Sequence, residues 1–216
     1  MDNRVTMNKH SWVFRILIIG CVVILHIGCY HAVNLLTGQR PEHVLLNFNT
    51  VVDDWVPYMG WTWTFYSFGD FYILVIGILI VWRLPGKKFV RAVYAYIGMI
   101  ITGALIQLAL PSKSPWPDKL NSAQEFFHNL FTEHPYACLP SMHVALVVLP
   151  ACLLFSVTKA KWIRILSTVI VVFITISTVT LKEHYFVDAI SGVLFAFLFY
   201  SLWRWDFQII KKKKER

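Results

Sequence analysis

The sequence predicts an all-α, polytopic membrane protein built as one domain over residues 1–216. Three observations predict this class: 57% of the residues are hydrophobic, only 15% are charged, and the apolar residues gather in long runs. A run of about 20 apolar residues is long enough to cross the hydrocarbon core of a bilayer as a helix. We count six transmembrane helices, which leave no room for a second domain: 12–36, 61–82, 89–110, 140–158, 162–181 and 185–206.

The basic residues predict how these helices are oriented. Sixteen of the 20 Lys and Arg residues flank the first helix, lie between helices two and three or four and five, or end the chain. Because Lys and Arg are retained on the cytoplasmic side, we expect both termini there and the loops 37–60 and 111–139 on the outer side. This distribution explains the net charge of +8 without a nucleic-acid partner.

The orientation also bears on localisation. We expect a bacterial inner-membrane protein whose outer loops face the periplasm or the outside. In a eukaryotic cell, the alternative is the endoplasmic reticulum or Golgi membrane, with the same loops facing the lumen.

Both outer loops contain short apolar stretches. Residues 44–56 and 123–131 are expected as interfacial helices, the first with neighbouring tryptophans that suit a membrane anchor or a platform for lipid head groups. Asp70 lies about nine residues inside the second helix, where a bare carboxylate is costly, so we expect it to face the bundle interior.

The last apolar run opens with a histidine and an aspartate four residues apart, His184 and Asp188. On a helix, this spacing places both on one face. The carboxylate can then accept the proton of one ring nitrogen and leave the other free to attack an electrophile. A polar helix end at the lipid boundary explains the same residues equally well.

Helix four opens with Pro140, Ser141 and His143. Proline suits the first turn of a helix, and the free N–H groups there, with the helix dipole, favour an anion. His143 could protonate a leaving group. The alternative is a capped helix with an interfacial histidine.

Lys113 lies in the proline-rich segment after helix three. It could bind a phosphate as a point charge, or it could be an ordinary solvated lysine.

These groups converge because consecutive helices run in opposite directions. The outer ends of helices three, four and six carry Lys113, Ser141 with His143, and His184 with Asp188, respectively. A cation, a hydroxyl, a helix N-terminus and two histidines at one depth are what phosphoryl transfer requires. The sequence therefore predicts an active site at these three helix ends.

Three motifs resemble signatures of the type 2 phosphatidic acid phosphatase superfamily. The run from Pro140 to His143 resembles the second signature, PSGH, and the run from Ser177 to Gly192 resembles the third, SRxxxxxHxxxD. The segment at Lys113 is similar to a degraded first signature, KxxxxxxRP. Within the superfamily, the residues from His184 to Asp188 are most similar to the inositolphosphorylceramide synthase branch.

The resemblance implies a mechanism. It implies a phosphohistidine on His184, orientation of that ring by Asp188, and His143 as the acid, with no metal and no cofactor. Lys113 and Ser141 would bind the substrate phosphate. The sequence departs from the signatures where Thr178 and Met142 replace an arginine and a glycine and where the first signature's arginine is missing. We expect Lys119 or Lys182 to compensate.

The favoured function is a lipid phosphatase or phosphotransferase in the bilayer, acting on a lipid phosphate at the outer leaflet with water as the expected acceptor. The first alternative transfers a phospho-head group, such as inositol phosphate, to an alcohol. The second is a non-catalytic transporter or scaffold.

Overall fold

The computed structural model describes residues 9–131 and 136–214. Within them the chain forms α-helices and no β-strand, with two short 3-10 turns at Glu42–Val44 and Gly60–Thr62. The helices are α1 (Lys9–Gly38), α2 (Val51–Trp55), α3 (Trp63–Arg83), α4 (Gly86–Ala109), α5 (Ser122–Phe131), α6 (Met142–Val157), α7 (Lys161–Thr180) and α8 (Phe186–Lys214).

Each predicted apolar run forms a helix, and five are long and apolar enough to cross a membrane: α1, α3, α4, α7 and α8. The fourth predicted run, 140–158, forms α6, which has 16 residues. At 1.5 Å per residue it is about 24 Å long, shorter than a hydrocarbon core of about 30 Å. Five helices are therefore candidate membrane spans, and the predicted sixth span, at α6, stays a prediction.

The short helix α6 is the centre of the bundle. It packs against α3, α7 and α8, and from Met142 to Leu154 every side chain except that of His143 is buried. A helix that is apolar on all sides is stable only when other helices surround it. By contrast, α1 packs mainly on α4 and leaves most of its surface exposed.

The start of α6 and α8 approach each other closely at Gly192. A Cβ atom built on Gly192 would lie 2.5 Å from the carbonyl oxygen of Ser141 and 3.1 Å from Cβ of Val144. The missing side chain therefore lets α8 lie directly against the first turn of α6, the turn that carries His143.

One end of the bundle, which we call the loop end, is formed by residues 39–62, 110–131, 136–141 and 181–185. Its two long segments are joined where the Leu46 amide donates to the Pro111 carbonyl at 2.7 Å. The first segment also meets α7, because the Met59 amide donates to the carbonyl of Thr180 at 2.8 Å. The predicted helix 123–131 corresponds to α5, whereas only Val51–Trp55 of the predicted helix 44–56 is α-helical, as α2; both lie at this end.

We expect Gly192→Ala to destabilise the protein by about 1–3 kcal/mol, the usual cost of overpacking a close contact, because the new methyl group would meet backbone. Gly77→Ala on α3 is the matched control. Nothing lies within 4 Å of its Cβ position, and alanine favours a helix by up to about 1 kcal/mol over glycine. Thermal unfolding in detergent tests both; equal melting temperatures for Gly192→Ala and wild type would contradict the close approach.

Candidate active site

His184 lies in a tight turn, residues 181–185, that joins α7 to α8; we call it the His184 loop. The Thr178 carbonyl accepts the amide hydrogens of both Glu183 and His184, at 3.1 Å each. Lys182 has φ of 60°, a left-handed conformation uncommon for any residue but glycine. These features fold the chain back on the end of α7, and the His184 side chain is buried.

The structure corrects the predicted geometry of His184 and Asp188. Since α8 begins at Phe186, His184 lies before the helix, and the same-face argument does not apply to it. Nδ1 of His184 is 3.7 Å from Oδ2 of Asp188, beyond hydrogen-bonding range, because Oδ2 accepts the Tyr185 amide at 2.9 Å and caps α8. Catalytic hydrogen bonds are often long in a protein without substrate.

Two buried atoms of this pair, Nδ1 of His184 and Oδ1 of Asp188, have no hydrogen-bond partner among the described residues. A shift of less than 1 Å would bring the ring and the carboxylate into hydrogen-bonding range.

Ser141 connects the start of α6 to Asp188. The Ser141 amide donates to the Asp188 carbonyl at 3.1 Å, and its hydroxyl accepts the Val144 amide at 3.3 Å as the N-cap of α6. Gln107 of α4 holds the preceding segment through hydrogen bonds to the Pro140 and Ala137 carbonyls, at 3.0 and 3.2 Å. Helices α4, α6 and α8 therefore meet at one point.

His143 is held by α3, an element that none of the sequence motifs includes. Its ring stacks on Tyr66 with centroids 4.2 Å apart and planes 7° apart. Its Nε2 atom occupies the space left by Gly69, 2.7 Å from where a Cβ would lie. His143 lies within electrostatic range of both His184 and Asp70.

Asp70 itself is exposed rather than directed into the bundle, so its predicted orientation is wrong. The neighbouring Gly69 and Tyr66 occupy the face of α3 that contacts His143, which leaves Asp70 at the edge of that face.

The lysines predicted to bind phosphate have different surroundings. Lys113 lies beside Glu42, 3.4 Å away, and both line a cleft of about 240 Å³ that also contacts Tyr185, the residue after His184. Lys119 is exposed further along the same segment. The Lys182 ammonium donates to the carbonyls of Asp53 and Val56 at 2.8 and 2.7 Å, so backbone oxygens already occupy two of its hydrogens.

The sequence reasoning missed a buried carboxylate, Glu183, immediately before His184. One of its oxygens accepts the indole N–H of Trp116 at 2.9 Å. The other meets Nε2 of His128 at 2.9 Å and the side-chain amide of Gln124. Trp116 also stacks on His128, with centroids 4.2 Å apart. Segment 111–131 is thereby fastened to the His184 loop.

A second missed carboxylate, Asp53 of α2, accepts the Phe186 amide at 2.7 Å. The only signal for Glu183 in the sequence was its own charge next to the candidate nucleophile, His184. Nothing in the sequence near Asp53 indicated its contact with α8, 133 residues away.

No three His, Cys, Asp or Glu side chains of the described residues lie close enough together to hold a metal ion. The buried acidic groups at the site are instead used by hydrogen-bond donors: amides at Asp53 and Asp188, and side-chain groups at Glu183.

Comparison with known proteins places the chain in a family. The family model described as the PAP2 superfamily matches residues 25–202, from within α1 to within α8. No curated protein matches the chain. The matched region includes His143, His184 and the segments of the loop end, and the chain belongs to the PAP2 superfamily.

Proposed function

We propose that the protein is a membrane-embedded lipid phosphatase or phosphotransferase that cleaves a lipid phosphate ester through a phosphohistidine on His184. Superfamily membership supports a phosphatase type of function on lipid phosphates. The observation that carries the proposal is the hydrogen bond from the Ser141 amide to the Asp188 carbonyl, which joins the two segments that bear His143 and His184.

In the proposed reaction, Nε2 of His184 attacks the phosphorus, because Nδ1 faces Asp188. The new N–P bond forms as the P–O bond to the lipid alcohol breaks, and His143 gives its proton to the leaving oxygen. A water molecule then attacks the phosphorus, the N–P bond breaks, and the proton of that water passes to His143. Asp188 stabilises the charge that develops on the His184 ring.

The proposed phosphate ligands are Lys113, Lys119 and the first turn of α6 at Ser141. A helix N-terminus binds anions through its amides and dipole, and lysine contributes a point charge rather than the fork of arginine. Lys182 was predicted to share this role; its carbonyl contacts favour a different one, which the next subsection develops.

The alternative acceptor is an alcohol, which would make the protein a head-group transferase. The run His184-Tyr185-Phe186-Val187-Asp188 favours this alternative by its resemblance to the inositolphosphorylceramide synthase branch. Hydrolysis and transfer share every step up to the phosphohistidine, so the products distinguish them.

Purified protein incubated with labelled phospholipids in EDTA is expected to release a labelled phosphate product. Free phosphate identifies a hydrolase, whereas a new phosphodiester lipid identifies a transferase. Turnover should persist in the chelator because every proposed step is carried out by protein groups and a water molecule, and none uses a metal ion. Activity lost in EDTA and restored by magnesium would contradict the mechanism, and no product from any lipid would favour a non-catalytic role.

His184→Ala is expected to abolish turnover and the phosphoprotein, because it removes the attacking atom. Asp188→Asn should slow turnover by up to about 10⁴-fold, as loss of the orienting carboxylate does in a catalytic triad. The measurement is an acid quench with a labelled lipid, followed by a test for acid-labile, base-stable label on the protein.

In this trapping experiment, His143→Ala should still accept label, most readily from substrates with good leaving groups. Label that persists in His184→Ala and vanishes only in His143→Ala would show that the two roles are reversed. No label in wild type under any quench would favour direct attack by water or alcohol.

The site is proposed to face the outer side of the membrane. A cysteine introduced at Lys119 should react with an impermeant maleimide in intact cells, whereas one at Lys87 should react only after permeabilisation. The native Cys138 contributes little background because burial raises the pKa of its thiol to about 12, which leaves almost no thiolate at neutral pH. Reaction of the Lys119 position only after permeabilisation would contradict the proposed side.

A further inference from the structure

The short helix α2 contacts the chain on both sides of His184. Two residues before it, the Lys182 ammonium donates to the Asp53 and Val56 carbonyls at 2.8 and 2.7 Å. Two residues after it, the Phe186 amide donates to Oδ1 of Asp53 at 2.7 Å. The contacts join residues 126 to 133 positions apart and attach the first long outer segment to the His184 loop.

The Asp53 carboxylate is buried and serves two helices at once. Oδ1 accepts the first amide of α8, and Oδ2 accepts the Thr50 amide and hydroxyl at 2.8 and 2.6 Å, which completes a capping box on α2. Hydrogen bonds to a carboxylate are among the stronger ones, and a negative charge is favoured at a helix N-terminus. One side chain therefore fixes where both helices begin.

Lys182 completes the attachment. Its left-handed φ of 60° is a conformation that persists in a non-glycine residue only when the surroundings hold it. The ammonium satisfies carbonyls at the end of α2, where a positive charge is favoured by the helix dipole. The strained turn of the His184 loop and the end of α2 thus stabilise each other.

The opposite face of α2 carries exposed apolar side chains. Trp55 is 77% exposed and Val51 is 62% exposed, at the end of a bundle whose long helices can cross a bilayer. Tryptophan concentrates at the boundary between hydrocarbon and water. A five-residue helix is too short to be stable alone, so α2 depends on its contacts with its surroundings.

We propose that α2 is a strap that positions the nucleophile: Asp53 and Lys182 are positioning residues for His184, and the Trp55 face seats the strap in the bilayer interface. The inference rests on the proposed function. It assigns Lys182 a structural role in place of the predicted role in phosphate binding. Neither contact involves substrate, so loss of the strap lowers kcat and leaves KM unchanged.

The first test compares kcat and KM of strap variants on lipid vesicles. Lys182→Met, which keeps the aliphatic stem, should lower kcat by up to about 10²-fold, the effect of a displacement of about 1 Å in a reacting group. Lys182→Arg should recover most of the loss. Asp53→Ala should lower kcat in the same way. Asp54→Ala is the matched control, because the exposed Asp54 binds only the nearby Asn49 side chain in the described contacts.

The interface is tested with a pair of exposed tryptophans. Trp55→Ala should lower kcat on vesicles less than Asp53→Ala does. Trp162→Ala should leave kcat unchanged, because Trp162 is similarly exposed, at 67%, but lies at the start of α7, at the other end of the bundle.

A readout independent of activity separates failure of the strap from failure of the proposed function. Hydrogen exchange at the amides of residues 182–188 should be faster in Asp53→Ala than in wild type, and unchanged in Asp54→Ala. If wild type turns over no lipid phosphate, but exchange is still faster in Asp53→Ala and unchanged in Asp54→Ala, the proposed function fails and the strap stands. A raised KM with unchanged kcat in Lys182→Met, or exchange unaltered in Asp53→Ala, would overturn the strap.

Discussion

The hydrogen bond from the Ser141 amide to the Asp188 carbonyl joins the two helix starts on which the proposed chemistry depends. One such bond contributes only about 1 kcal/mol net, so it cannot by itself hold two helices together. The close approach at Gly192 makes it possible, because a side chain there would meet the Ser141 carbonyl. A small residue on α8 thus determines the separation of the segments that carry His143 and His184.

Buried carboxylates surround the His184 loop, and each has its own set of donors. Asp188 accepts the Tyr185 amide, Glu183 accepts the Trp116 indole, and Asp53 accepts the Phe186 amide. An unpaired buried charge would be very costly. The loop is therefore stable only when α2, segment 111–131 and α8 are all in place, which makes the position of the nucleophile a property of the whole loop end.

Hydropathy was sufficient to predict the long helices and the position of α5, because burial in lipid imposes a composition that can be recognised locally. It was less accurate in the first loop, where only Val51–Trp55 of the predicted helix 44–56 is α-helical. The predicted run 140–158 forms α6, in which the apolar residues from Val144 to Leu154 are buried in the bundle. The contacts of Glu183 and Asp53 could not be predicted, since their partners lie 55 to 133 residues away. The predicted geometry of His184 and Asp188 was wrong because the spacing argument assumes that both residues lie on one helix. The helix begins at Phe186, after His184.

The two departures from the superfamily signatures have structural counterparts that bear on the substrate. Thr178, where the signature has arginine, is buried, and its carbonyl supports the Glu183 and His184 amides. Met142, where the signature has glycine, packs against Gly103 of α4. Neither position carries a guanidinium that could bind phosphate, so the proposed phosphate binding depends on lysines and helix amides. A phosphomonoester carries almost two negative charges at neutral pH, whereas a phosphodiester carries one. The phosphate ligands proposed above include no arginine fork, which suits the single charge of a diester, the substrate of the head-group transfer that we propose as the alternative.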